Sequence, residues 1–583
     1  MMYHMNQPLL EPTEPQFATL ETSTSNSNPR SSNRVLLSFP GCQASQGSTP
    51  SYVLHPAVAL VSNNDIPPIG SGKGDFADTD GLLNGLTASL LGIAAITKEE
   101  GQVYNVSFSS PLAAGTSSVV VDDDVKRPIG LVQAFCKDKS GRVEERVLPH
   151  IPELPRLRKL QDKHHRMGGP TCPFSLTVVL IDSVSLSKAM RVWPKFWAEL
   201  DTIDRAKKKK KSKKRKNSNS NSNSNSNSNS NSNNNNKKEH LRTTAISPPL
   251  AASVFNFVRY HALGAFAQPA QISTGINVRP LFTGRLAMDK GPWPNFNPPK
   301  RSPANETTTF WEEMRLTSGH TSWWANGMCQ NYGLYLDRSR MWTDVEFGAV
   351  GCHLDYDQGD PDNWRGPYSI FSRYIAGVPV HRHLFQYPKL WRTKYGGAST
   401  LPTIGIINLL EAHEGLGQVV KTLDSDLVAL LQEMKESGAL EDTMVVFLAD
   451  HGSDMGLKEL WQKESWIEKT HPFMTMVVPD ALLTRVGPRA RALLKTNTQR
   501  LVTAYDIHRT FLSMCSSTNS GTGGVDSLNG RQTFVPSSQY VNGTYVDRPA
   551  QADGPYSLFH EEIPMGRTCK EALIPEKVCG CRP

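Results

Sequence analysis

The chain has 583 residues, 38% of them hydrophobic and 20% charged. That length far exceeds what one buried core needs, and the balance excludes collagen-like, fibrous and wholly disordered classes. The net charge of +8 is concentrated rather than spread: nine basic residues fall in the ten positions Lys207–Lys216, and the remainder of the chain carries −1. No aromatic residues interleave with that basic run, so a nucleic-acid partner is not expected.

Residues 1–100 are rich in Ser, Asn, Pro and Thr and are expected to be largely disordered. Within them Leu82–Ile96 is the most apolar window, but Asn84, Thr87 and Ser89 interrupt it. It reads as a short buried helix, and no window reaches the ~20 apolar residues of a membrane span. Residues 101–172 predict a small β-containing element, with an apolar run from Gly130, a Lys-Ser-Gly turn and a polar strand to Val147.

From residue 173 to 583 the pattern is that of one α/β domain. Ser175–Ile181, Ile404–Ile407, Val445–Ala449 and Met474–Val478 are apolar runs of buried-strand length. Leu416, Val419, Val420, Leu423, Leu427, Leu430, Leu431 and Met434 recur at helical spacing between the second and third of them. Buried strands alternating with helices predict a mostly parallel sheet covered on both faces. The tract 206–238, lysine-rich and then Asn-Ser repeats, has too little apolar surface to pack and is read as a disordered insertion.

Three spots carry chemistry. Asp450-His451-Gly452 ends a predicted strand, where ligands of parallel sheets gather; Asp and His there can reach one divalent cation. Asp182 ends the first core strand and can share that cation, although helix capping explains it equally well. Thr274-Gly-Ile-Asn277 follows the strand-like Val254–Val258. A hydroxyl at a helix N-terminus meets free amides that suit an oxyanion, and a metal would make Thr274 a competent nucleophile. Asn277, one turn on, is placed to donate to a substrate oxygen, and Ser273 is the rival hydroxyl.

Of nine cysteines, three crowd the C-terminus at Cys569, Cys579 and Cys581. Cys-Gly-Cys is too tight for usual zinc spacing, which favours disulfides over a metal, and an odd total leaves one thiol without a partner in the chain. Met1 is not followed by a basic and then apolar signal sequence, sequons stand at Asn105, Asn305 and Asn542, and the basic run matches a nuclear-localisation pattern. These signals conflict, and location is not assigned from them.

Taken in order, Asp182-Ser-Val-Ser185, Thr274-x-x-Asn277 with Thr283-Gly284, His413, and Asp450-His-Gly resemble alkaline-phosphatase and sulfatase superfamily enzymes, most closely the sulfatase-like DUF229 family. Gly319-His-Thr-Ser-Trp323, Tyr505-Asp-Ile-His508 and the Arg567-Thr-Cys569 … Cys579-Gly-Cys581 ending extend the resemblance over residues 130–583. The resemblance implies an alkaline-phosphatase-like three-layer α/β/α sandwich. It implies Asp182, Asp450 and His451 as ligands of a divalent ion (zinc, manganese, magnesium or calcium), Thr274 as nucleophile, and Asn277, His413 and Lys469 as catalytic. Glu468 and His471 fall at its substrate-binding positions, and a secretory or extracellular setting is implied. Leu186 and Leu409 depart from it, where the family has an Arg and two-metal relatives an Asp; Glu411 is a substitute for the latter.

A formylglycine sulfatase needs Cys or Ser in a Pro- and Arg-containing context, which Thr274 lacks, so phosphate esters are preferred to sulfate. The expected function is thus a metal-dependent hydrolase or transferase acting on a small-molecule, glycan or lipid-linked anionic ester. The alternative is a catalytically degenerate member that binds anionic glycans or lipids.

Overall fold

The computed structural model describes residues 19–23, 33–38, 49–56, 58–59, 104–106, 118–123, 129–137, 140, 143–205, 252–264, 274–284, 308–327, 336, 341–348, 373–453, 465–515, 538–541, 544–547 and 555–580. The expected helix at Leu82–Ile96, the tract 206–238, Ser273 and Cys581 lie outside the described residues.

An eight-stranded sheet organises the chain. Its strands are β1 (Val58–Ala59), β2 (Ser175–Ile181), β3 (Ala252–Asn256), β4 (Thr321–Asn326), β5 (Val345–Phe347), β6 (Thr403–Leu409), β7 (Thr443–Leu448) and β8 (Met474–Pro479). They lie in the order β3-β8-β7-β2-β6-β4-β5-β1. The five from β7 to β5 are parallel, whereas β8, β3 and β1 pair antiparallel at the flanks.

Successive residues of a strand point to opposite faces, and every residue of β2, β6 and β7 is buried, which is why these strands read as unbroken apolar runs. Leu176, Val178 and Leu180 enter one core with Val278, Leu281, Phe310 and Phe511. Val179 and Ile181 enter a second core with Ala189, Trp193, Leu427 and Leu431. Helices thus cover both faces, giving a three-layer α/β/α sandwich with a mostly parallel central sheet.

Five helices hold residues that stand out in the sequence: α1 (Leu186–Val192), α2 (Thr274–Thr283), α3 (Leu423–Glu436), α4 (Ser465–Thr470) and α5 (Ala504–Ser513). The helical stripe expected from Leu416 begins later. Leu416 is exposed, a 3₁₀ turn occupies Val419–Thr422, and α3 starts at Leu423. The Glu414 carboxylate accepts from the amides of Leu416 and Val419 and so stabilises the turn ahead of the helix.

Strands Thr19–Ser23, Asn33–Ser38 and Thr49–Pro56 occur within the first hundred residues, where disorder was expected. Thr49–Pro56 pairs with Ile129–Lys137, which in turn pairs with Val143–Pro149. The small β element therefore draws a strand from upstream of residue 101. Disulfides join Cys172 to Cys515 and Cys569 to Cys579.

Candidate active site

Parallel pairing of β2 with β7 matches Leu180 to Leu448. Two residues further on, the same register brings Asp182 level with Asp450 just beyond the carboxyl ends of both strands. Ser183 reinforces this placement. Its amide donates to Asp450 Oδ1 at 3.2 Å, and its hydroxyl donates to Asp182 Oδ1 at 2.6 Å. To do so Ser183 adopts a left-handed backbone with φ of 65°, a conformation that costs a non-glycine residue on the order of 1 kcal/mol.

His451 completes a corner of three ligand-bearing side chains, all buried, with one ligand atom of each within 4.8 Å of the others. Its Nδ1 donates to the Gly452 carbonyl at 2.8 Å, which leaves Nε2 as the lone-pair nitrogen. That nitrogen faces Asp450 Oδ2 at 3.5 Å and Asp182 Oδ1 at 3.9 Å. Burial, and then the charge of Asp182, push the Asp450 carboxyl up to about 6, while His451 and the Thr274 hydroxyl act against this.

The donor set fits a divalent cation. Asp450 Oδ2 is buried without a hydrogen-bond partner. Two carboxylates and an imidazole lone pair converge on a space where they repel one another unless positive charge lies between them. Zinc, manganese, magnesium and calcium all accept oxygen ligands, and the imidazole suits the first two better.

Thr274 opens α2, and its Oγ1 donates to Asp182 Oδ2 at 3.3 Å. The hydroxyl therefore stands at this corner and at the positive end of a ten-residue helix. Asn277 lies one turn further on, where its Oδ1 accepts from the Leu263 amide at 2.6 Å. That oxygen braces the backbone.

The residues near the end of α4 are distributed differently. Lys469 is buried, and its carbonyl accepts from the Gly452 amide at 2.9 Å. A side chain at position 452 would collide with the Glu468 carbonyl, so this approach requires glycine. Glu468 pairs with Arg191 of α1 at 2.9 Å through Oε1, and its Oε2 accepts from the Ser185 hydroxyl at 3.5 Å. His471 is half-buried, its ring edge-on to His261 with centroids 5.0 Å apart. His413 is half-buried on the turn after β6, outside the group of three ligand atoms.

Glu411 does not take up the missing second-metal position. It accepts from His381 Nδ1 at 2.8 Å, while His381 Nε2 lies 2.7 Å from Asp426 Oδ2. Two other matched motifs are structural. His320 is buried between Ser318 Oγ and the Phe174 carbonyl, and Asp506 forms a capping box with Thr503 at the start of α5. His261 and His381 were not singled out from the sequence: no motif surrounds them, and contacts distant in sequence give them their roles. Ser183 lies inside the Asp182-Ser-Val-Ser185 motif, but its bond to Asp450 joins positions 267 residues apart.

Residues 403–583 match the model of a family described as "Protein of unknown function (DUF229)". The matched segment holds His413, Asp450, His451, Lys469 and the C-terminal disulfide, whereas Asp182 and Thr274 precede it. A comparison with curated proteins finds no match.

Among solved structures, lipooligosaccharide phosphoethanolamine transferase A of Neisseria meningitidis aligns over 60% of this chain at 11% identity and a TM-score of 0.34. The chain spans 56% of that transferase. A protein in the alkaline phosphatase superfamily from Vibrio parahaemolyticus aligns over 60% of this chain and 69% of its own, at 11% identity and a TM-score of 0.31. PsFucS1 sulfatase from Pseudoalteromonas sp. aligns over 64% of this chain and 73% of its own, at 10% identity and a TM-score of 0.30. Among the described residues no helix is long and apolar enough to cross a membrane.

Proposed function

We propose that the protein is a divalent-metal-dependent hydrolase or transferase of phosphate esters that uses Thr274 as its nucleophile. The observation that carries this reading is the position of Thr274 Oγ1, in the first turn of α2 and 3.3 Å from Asp182 Oδ2 in the buried corner with Asp450 and His451. A hydroxyl with a merely capping role has no need of two buried carboxylates and an imidazole lone pair.

A cation held by Asp182, Asp450 and His451 supplies Lewis-acid charge and lowers the pKa of a hydroxyl beside it. Asp182 Oδ2 orients the Thr274 hydroxyl. Thr274 Oγ1 then attacks phosphorus in line with the leaving alcohol: the Thr–O–P bond forms, the ester P–O bond breaks, and the alcohol departs with a proton. Water or an acceptor alcohol next attacks the phosphothreonine from the vacated side and restores the free hydroxyl. Free amides at the start of α2 favour the negative charge that the phosphoryl oxygens carry. The buried Lys469 supplies a further positive group. Sulfate esters are the lesser expectation, because threonine cannot be oxidised to the aldehyde hydrate on which formylglycine sulfatases rely.

The test is a screen of the full chain against aryl phosphates, phosphodiesters and aryl sulfates with zinc, manganese, magnesium or calcium. Acid-quenched enzyme would then be mapped by mass spectrometry. Phosphate on Thr274 supports the reading. Phosphate on Ser273 moves the nucleophile by one residue, and tight metal binding without turnover of any ester favours a non-catalytic anion binder.

A further inference from the structure

Four consecutive residues after β3 each make a different long-range contact. His261 Nε2 accepts from the Gly580 amide at 2.9 Å. The Ala262 amide donates to the Thr470 carbonyl at 2.9 Å, and that of Leu263 donates to Asn277 Oδ1 at 2.6 Å. Gly264 lies directly against Ile276 in the first turn of α2. The segment 261–264 therefore spans from the C-terminal loop, past Lys469, to the helix that carries Thr274.

The far end of this strut is held firmly. Gly580 follows the Cys569–Cys579 disulfide, and Ala572, Ile574 and Val578 of the same loop are buried in the core. Arg567, just ahead of the loop, pairs with the buried Asp506 of α5 at 2.7 Å. A Cβ on Gly580 would lie 2.6 Å from Thr470 Oγ1, 3.0 Å from His471 Cε1 and 3.1 Å from His261 Nε2. The glycine fills its niche completely. His261 is itself buried, and its Nδ1 donates to the Ala262 carbonyl at 2.6 Å, so Nε2 is the acceptor.

We propose that His261 is a positioning residue of the candidate active site, and that the C-terminal disulfide loop, through Gly580, sets the placement of Lys469 and of the Thr274 helix. For its catalytic consequence this rests on the proposed phosphoester chemistry at Thr274; its structural consequence stands independently. The partner that matters for His261 is a hydrogen-bond donor, so an acceptor at the Nε2 position preserves the strut. The side-chain oxygen of Gln reaches that position and that of Leu does not exist.

The test compares His261→Gln, His261→Leu and Gly580→Ala in the full chain. Three readouts are taken: hydrogen exchange of the peptides covering 261–264, 274–284 and 465–471, metal affinity, and steady-state kinetics. His261→Leu and Gly580→Ala are expected to raise exchange in all three segments at least tenfold, lower kcat at least tenfold and leave metal affinity within threefold. His261→Gln is expected to remain near wild type. If exchange in 274–284 is unchanged in both disruptive variants, or if His261→Gln behaves as His261→Leu does, the proposal is overturned. Should either variant fail to fold, the double replacement Cys569→Ser with Cys579→Ser loosens the same loop and is held to the same exchange criterion. An inactive wild type with the predicted exchange pattern would count against the phosphoester chemistry and leave the strut standing.

Discussion

Two buried charge clusters include residues just beyond strands of the central sheet, Glu411 after β6 in one and Asp182 and Asp450 after β2 and β7 in the other, and are built on opposite plans. Around His381, positive and negative charge are supplied together. The imidazole sits between Glu411 at 2.8 Å and Asp426 at 2.7 Å, and Arg382 also reaches Asp426 at 2.9 Å. Burial opposes charging His381, but the two carboxylates outweigh it and raise its pKa to about 9. Glu411 and Asp426 are correspondingly held below the ordinary carboxylate range, against the opposing effect of burial. At the Asp182–Asp450 corner, by contrast, the two carboxylates face each other and an imidazole lone pair, and Asp450 is pushed upward. A buried cluster that balances its own charge braces the fold, whereas one that does not has room for a cation from outside.

The largest expected effect is at the corner. Thr274→Ala should lower turnover of the best phosphate ester by roughly a thousandfold or more, since the two-step route itself is lost. Metal affinity, measured by calorimetry, should change little, because Thr274 is not among the three ligands. Thr274→Ser should keep partial activity. Unaltered turnover in the alanine variant would remove the catalytic half of the comparison.

Next in size is the balanced cluster. Asp426→Asn leaves His381 and Arg382 with one carboxylate fewer in a buried setting, and should destabilise the protein by about 3 kcal/mol in urea unfolding. Catalytic constants per folded molecule should hold. A change below about 1 kcal/mol would show that the cluster is solvated in solution and contributes little.

The same cluster fixes a pH dependence. His381 has a raised folded-state pKa, so its contribution is fully present below its unfolded value of about 6.5. That contribution is progressively lost as pH rises toward about 9 and is gone above it. Wild-type stability should therefore fall on the order of 2 kcal/mol between pH 6.5 and 9.5, and the slope should flatten in His381→Gln. Identical slopes in the two proteins would detach the effect from His381.

Much of this plan is legible in the sequence, for definite reasons. β2, β6 and β7 are buried on both faces, so their apolar runs are continuous, and a carboxylate directly after such a run marks a strand end. The sheet's edges are less legible, because an apolar run carries no direction: Met474–Pro479 reads like its neighbours yet pairs antiparallel with β7. Leu416 fits the helical period but lies in a turn shaped by the Glu414 carboxylate, a contact that periodicity cannot register. Glu468 falls at a substrate position by resemblance, and its ion pair with Arg191 on a different helix has no local signal in the sequence. The His381 cluster joins positions up to 45 residues apart and has no motif at all. What escapes the sequence is pairing over distance, while burial and strand ends are written locally.

The smallest expected effect is also the sharpest test of the comparison, because it has the opposite sign to that at Asp426. In Asp450→Asn the side-chain oxygen still accepts from the amides of Ser183 and His451, as Asp450 Oδ1 does at 3.2 Å and 2.8 Å. The new amide takes the place of Oδ2, the buried oxygen without a hydrogen-bond partner, and presents a donor toward His451 Nε2, which faces that oxygen at 3.5 Å. One buried charge and its repulsion with Asp182 are removed, and the two backbone hydrogen bonds are kept. Metal-free Asp450→Asn protein should therefore be more stable than metal-free wild type by about 1 kcal/mol. Zinc or manganese, which should stabilise wild type by mass action, should no longer raise its unfolding midpoint. The comparison requires both halves, gained stability without metal and lost response to it. Destabilisation of the metal-free variant would mean that the Asp450 charge is compensated within the chain, and the corner would then be a brace like the one around His381.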